Sequence, residues 1–155
     1  MIKLLSFLSS KWITNFFSTH ILEVIVNSLK RFKTLNLKMK YFTINEFESP
    51  DVPGSGSKMD IDFLTKLEAA RELANIPFKI NSGYRTQEHN LKVGGVYASS
   101  HKKGLAADIS CLNSDQKYII LKSLLTVGFT RFGIGKTFIH VDDDKEKSQN
   151  VVWTY

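Results

Sequence analysis

One cysteine, Cys111, in a chain of 155 residues sets the first limit on the fold. Without a second cysteine there is no internal disulfide to staple a small domain and no multi-thiolate metal site. A chain of this length must then be held by one principal hydrophobic core, and any metal chemistry must use histidine and carboxylate. The composition permits such a core. Hydrophobic residues make up 43% and charged residues 23%, ordinary values for a globular protein and unlike those of a disordered one.

The 21 basic and 15 acidic residues give a formal charge of +6, which by itself invites a nucleic-acid or membrane-surface role. The distribution removes most of that support. Lys3, Lys11, Lys30, Arg31, Lys33, Lys38 and Lys40 stand against a single acid, Glu23, in the first 40 residues. The remaining 14 bases and 14 acids leave residues 41–155 formally neutral. No basic stripe with interleaved aromatics remains there, so a nucleic-acid partner is not expected.

Residues 1–38 read as an extension separate from a domain over residues 39–155. No apolar run in the extension approaches the roughly 20 residues that span a bilayer. Lys3 precedes an apolar stretch as in a secretory signal, but Lys11 interrupts it and no small-x-small cleavage site follows, so there is no clear signal peptide. Residues 21–32 fit an amphipathic helix with a basic end, a pattern that suits membrane contact. The alternative, slightly preferred, is an unstructured segment or a translated extension ahead of a start at Met39.

Within the body, residues 49–58 (SPDVPGSGSK) read as a loop. Asp60 caps a helix to about Asn75, with Ile61, Leu64, Leu67 and Ala74 at helical spacing and Pro77 beyond its end. Phe78 to Ser82 alternates as a short strand. Thr86 caps a short helix that stops at Gly94-Gly95. A strand from Leu105 to Cys111 puts Ala106, Asp108 and Ser110 on one face. Asn113, Ser114 and Asp115 offer caps for a helix to about Val127. Extended segments follow at 129–134, 138–142 and 151–155, and in the middle one Phe138, His140 and Asp142 share a face. The order of elements predicts an α+β fold in which helices pack on a small, mostly antiparallel sheet.

Three residues of that body carry the chemistry: His101, Asp108 and His140. Histidine and carboxylate suit zinc, and a catalytic zinc takes three protein ligands and leaves a position for water. Gly104 permits a tight approach between the loop of His101 and the strand of Asp108, and His140 arrives on a neighbouring strand. Arg85, in Gly83-Tyr84-Arg85, follows a strand that can bring it to the same sheet face, where a fixed guanidinium suits a peptide carboxylate or a developing oxyanion.

Together SGYRT, SSHKKGLAAD and FIHVD resemble the zinc D-Ala-D-Ala carboxypeptidase family, which includes phage endolysins and shares its fold with the hedgehog signalling domain. The resemblance runs from about Met39 to Tyr155 with the three motifs in order, and is nearest to short single-domain members from bacteria and their phages. It implies one zinc per chain held by His101, Asp108 and His140. It also implies that Arg85 orients the substrate carbonyl and stabilises the oxyanion, and that Ser99 helps hold the substrate. The implied partners are peptidoglycan stem peptides, cut by a monomer acting on the cell wall from the periplasm or after release at phage lysis.

The chain departs from part of that family at one point. Many members place Glu or Asp three residues before the last histidine ligand, and this chain has Thr137. Threonine cannot act as a general base near neutral pH. Asp142, on the face of His140, is the local substitute as a catalytic base, or else a partner that orients a ligand histidine. His89 and Glu88 are more distant candidates for the base. The gap leaves a second reading, a zinc-stabilised module that grips cell-wall peptides without cutting them. Asp143 and Asp144 read as a solvated turn, Cys111 as a packed core residue, and Trp153 and Tyr155 as closing a core or lining a cleft.

Overall fold

The structure, a computed structural model, describes residues 39–155. The expectations for residues 1–38, including a membrane-surface helix and a translated extension, lie outside the described residues. Among the described residues there are three α-helices and five strands: β1 (Ile80–Ser82), β2 (Ala106–Ser110), β3 (Arg131–Ile134), β4 (Phe138–Asp142) and β5 (Val151–Thr154), with α1 (Ile61–Ala74) before β1. Helix α2 (Gln87–Lys92) lies between β1 and β2, and α3 (Ser114–Thr126) between β2 and β3. No helix among the described residues is long and apolar enough to cross a membrane.

The helices begin where local chemistry starts them. The Asp60 carboxylate accepts from the amides of Asp62 and Phe63, Thr86 Oγ1 accepts from His89, and Asn113 Oδ1 accepts from Gln116. Asn75 ends α1 in the left-handed region, as a C-terminal cap does. Phe63, Leu64, Leu67, Ala70 and Ala74 form the buried stripe of α1, while Ile61 is half-buried at its start. The 49–58 loop holds one turn of 3₁₀ helix, Ser55–Lys58.

The sheet order is β1-β2-β4-β3-β5. Three of its pairings are antiparallel and β3/β5 is parallel, so the sheet is mixed and mostly antiparallel. The parallel edge arises because the stretch after β4 crosses back over residues 143–150 before β5. One sheet face carries Ala107, Ile109, Phe132, Ile139 and Val141, all fully buried. On this side α1 and α3 pack together, and α3 packs on β4. Phe129 closes edge-on against Phe63 of α1 at 5.5 Å. Cys111 is buried at the end of this layer, as expected.

Candidate metal centre

The opposite sheet face carries Asp108, His140, Asp142 and Arg131, and sheet register sets their neighbours. Asp108 pairs directly with His140 across β2/β4, and Asp142 with Arg131 across β3/β4. Residues facing each other in an antiparallel pair hold their Cβ atoms about 4.5–5.5 Å apart, close enough for side-chain bonds. His101 comes from the 3₁₀ turn Ser100–Lys103, which Gly104 ends at φ +72. A side chain there would also collide with the carbonyl of Lys58, 2.2 Å from the position of its Cβ. Gly104 thus provides the tight turn that returns the chain into β2.

Three donor atoms converge. His101 Nε2 lies 3.2 Å from His140 Nδ1 and 3.3 Å from Asp108 Oδ1. His140 Nδ1 lies 2.8 Å from that same carboxylate oxygen. Ligand atoms held at about 2.0–2.1 Å by a tetrahedral zinc are about 3.3 Å apart, so the triangle has the dimensions of one face of such a site. The far nitrogens point away to fixed acceptors. His101 Nδ1–H donates to the Gly83 carbonyl at 2.7 Å, and His140 Nε2–H donates to Asp142 Oδ2 at 3.1 Å. In the neutral form of each ring, the form that binds a metal, such a bond leaves the other nitrogen with its lone pair turned to the triangle. The residues present fit a metal ion.

The electrostatics are those of a buried, shared carboxylate. Burial alone would push the Asp108 carboxyl up, but its close contacts with the His101 and His140 rings outweigh it and hold it far below the usual carboxylate range. Burial pushes His101 down, which favours its neutral form. His140 is also penalised by burial, yet its bonds to Asp108 and Asp142 prevail and raise it. Asp142 stays ionised because His140 and Arg131 overcome its burial.

Arg85 reaches the centre from the far side. Its Nη2 donates to Asp108 Oδ2 at 2.5 Å and its Nε to Ser82 Oγ at 2.7 Å. The guanidinium therefore holds the carboxylate oxygen that the histidines do not use, at the margin of a cleft of about 590 Å³. Arg85, Ser99, the three donor residues and Asp142 all line this cleft. Ser99 is buried at its floor.

Asp142 is fully buried. Its Oδ1 accepts from Arg131 Nε at 2.7 Å and from the Asp144 amide at 3.1 Å, while Oδ2 accepts from His140. Both oxygens are thus occupied, which is the arrangement of an orienting partner for His140. Thr137 is exposed in the turn before β4 and borders neither this cleft nor the hollow beside it. That hollow, of about 260 Å³, shares Arg85, Val93, Asp108 and Phe138 with the cleft and adds Glu46, Glu48 and His89. Glu88 lines neither.

The solvated-turn expectation fails for Asp144. It is fully buried, with Lys103 at 2.9 Å and Ser100 Oγ at 3.2 Å, because the chain after β4 folds back under the His101 turn. Asp143 is ion-paired with Lys66 and Lys145. Trp153 and Tyr155 line the cleft, and the rings of Trp153 and His140 lie 5.5 Å apart. The missing side chain of Gly133 makes room for both aromatics, since a Cβ there would fall 2.6 Å from Tyr155 and 2.7 Å from Trp153. Sequence reasoning passed over Arg131, although a lone arginine in an apolar strand signals a buried charge with a partner. It also passed over Lys147, a loop residue on the cleft wall with no distinguishing signal.

No curated protein matches the chain. A sequence model of the family described as Peptidase M15 matches residues 40–142, a span that holds β1 to β4, Arg85 and all three donor residues. On that match, covering well over half its length, the chain belongs to the Peptidase M15 family, the zinc D-Ala-D-Ala carboxypeptidase-like peptidases.

Proposed function

We propose that this chain is a zinc-dependent metallopeptidase that hydrolyses peptide bonds in peptidoglycan stem peptides. The observation that carries the reading is the triangle of His101 Nε2, Asp108 Oδ1 and His140 Nδ1 at the side of an open cleft. These three residues would hold one zinc. When bound, zinc lowers the pKa of a water toward about 7 and polarises a carbonyl. Arg85, fixed by Ser82 and Asp108, presents positive charge where a carbonyl oxygen would gain negative charge. Ser99 offers a hydroxyl to a peptide group in the cleft. Asp142 keeps the Nε2 proton of His140 in place and so keeps Nδ1 free to donate.

The adjoining hollow extends the cleft past Arg85 and Asp108. A cleft that continues past Arg85 and Asp108 supports an endopeptidase that binds a longer stretch of chain, rather than a carboxypeptidase that takes a terminal residue. We read the protein as a monomer acting at the cell wall, from the periplasm or after release at phage lysis.

A second reading has its own observation. Among the residues that line the larger cleft, the only carboxylates are Asp108 and Asp142, and both are fully engaged. A module that binds cell-wall peptides without cutting them would look like this. Mass spectrometry of muropeptides incubated with the zinc-loaded protein separates the readings. Cleavage that stops with chelator and returns with zinc supports the peptidase, and the product masses name the bond. Zinc-dependent binding with intact muropeptides supports the module, and turnover at full rate in chelator sinks both.

A further inference from the structure

We infer that the segment from Val93 to Tyr97 is a substrate-contacting wall of the cleft, and that the buried Asn90 is a residue that positions it. The inference rests on the reading of the cleft as a peptide-binding site.

The segment presents apolar side chains to solvent. Val93 is 50% exposed, Val96 69% and Tyr97 82%. Such residues scattered singly over a surface need no explanation. Here Val93, Gly94, Gly95 and Val96 border the cleft that holds the metal-binding triangle, and Val93 also borders the adjoining hollow. An apolar edge at that place suits the methyl and methylene groups of short peptide side chains.

At its Tyr97 end the segment is tied by Lys102, whose Nζ donates to the Tyr97 carbonyl at 2.7 Å, and its Gly95-Val96 stretch is held from beneath by Asn90. Asn90, in α2, is fully buried. Its Nδ2 donates to the carbonyl of Val96 at 3.0 Å, and its backbone carbonyl accepts from the Gly95 amide at 2.8 Å. Gly95 lies directly on the carboxamide, where a Cβ would stand 2.2 Å from Asn90 Oδ1 and 2.7 Å from Cγ. Gly94 turns the chain at φ +72 to bring this about.

Asn90 Oδ1 is the one buried side-chain polar atom without a hydrogen-bond partner among the described residues. Leaving a buried acceptor unpaired costs stability, and a core position of this kind would ordinarily be filled by an apolar residue. An asparagine here is accounted for by what its Nδ2 does, which is to hold the peptide of Val96 at a fixed height over the cleft. It acts through the wall and makes no contact with the metal donors. Asn90 is therefore a positioning residue.

The test combines kinetics with a readout that needs no turnover. Asn90→Ala is expected to raise KM for a soluble muropeptide about fivefold, the loss of roughly one hydrogen bond, and to change KM more than kcat. Zinc content per chain should stay at the wild-type value. Chymotrypsin cleavage after Tyr97 should become faster in Asn90→Ala, and muropeptide should slow that cleavage in the wild type. Gly95→Ala is expected to act like Asn90→Ala. The double variant should be no worse than Asn90→Ala alone, because removing the carboxamide makes room for the new methyl.

Val93→Ser with Val96→Ser, both at exposed positions, keeps the question open to measurement if Asn90→Ala fails to fold. It should raise KM and weaken the muropeptide protection of Tyr97. Unchanged KM and unchanged protection in that variant would overturn the proposal, as would strictly additive effects of the Asn90 and Gly95 substitutions. Failure of the wild type to cut muropeptides would count against the peptidase reading. Protection of Tyr97 would still report on the wall, and its absence in the wild type would overturn the inference.

Discussion

The two faces of one sheet are built on opposite principles. Toward α1 and α3, β2, β3 and β4 present Ala107, Ile109, Phe132, Ile139 and Val141, an apolar surface with nothing to neutralise. Toward the cleft, the alternate residues of the same strands include Asp108, Arg131, His140 and Asp142, four buried side chains that are charged or ionisable. The first face is stabilised by area removed from water and tolerates any well-packed hydrophobic set. The second is tolerable only because each charge meets a partner within hydrogen-bond distance, so its geometry is far less free. A strand period of two lets adjacent residues such as Ile139 and His140 serve these unlike ends. The apolar layer supplies rigidity, and the polar layer converts it into placement of donor atoms.

Substitutions on each face should separate these roles. The largest effect is expected from His101→Ala, which removes one corner of the triangle. Metal bound per chain should fall to near zero by elemental analysis and muropeptide cleavage should be lost, while the far-ultraviolet circular dichroism spectrum stays native. Loss of the native spectrum instead would mean that the two faces are not separable. Ile139→Ala, one residue from His140 but on the apolar face, should behave in the opposite way. Urea unfolding should show a loss of about 2–5 kcal/mol, with near-native metal stoichiometry while the protein remains folded.

Asp142→Asn tests the layer behind the donors. It keeps the shape but removes the charge that faces Arg131 and the full acceptor for His140. Competition with a chelator should show metal affinity reduced about 10–100-fold. Turnover at saturating zinc should survive in part, because the carboxylate orients His140. Complete loss of turnover with unchanged affinity would instead mark Asp142 as the base.

The smallest effect is expected from acid. Asp142 and Asp144 both titrate below their ordinary value, each despite burial, through bonds to His140 and Arg131 and to Lys103 respectively. A carboxyl whose folded pKa is depressed contributes its stability in full above the unfolded value of about 3.9, and loses it as pH falls through the folded value. The urea midpoint of the metal-free protein should therefore drop below about pH 4. A midpoint that rises on acidification would show that these carboxylates are repelled rather than paired.

Much of this was legible in the residues. Caps at Asp60, Thr86 and Asn113 start their helices as their chemistry requires, and period-two alternation assigns Asp108 and His140 to the right kind of face. Past the end of β4 no alternation applies, and Asp143 and Asp144 read as a solvated turn. Asp144 follows the strand at a turn, where exposure is the ordinary outcome, and only the return of the chain under the His101 turn buries it against Lys103 and Ser100. Arg131 and Lys147 escaped notice because neither belongs to a motif. The parallel pairing of β5 with β3 is a long-range contact that no local pattern encodes.

The sequence by itself determined which atoms were available and how they alternate along each strand. It has one thiol, an Arg-Ser-His-Asp-His set in order, and strand and helix signals that require an α+β layer. Tertiary structure decided which of these atoms meet. The β2/β4 register sets Asp108 opposite His140, the β3/β4 register gives Asp142 to Arg131, and α2 places Asn90 beneath Gly95. Local preferences act over a few residues, whereas hydrogen bonding of a buried charge depends on which distant segment supplies the partner. That partner is chosen only when the whole core closes.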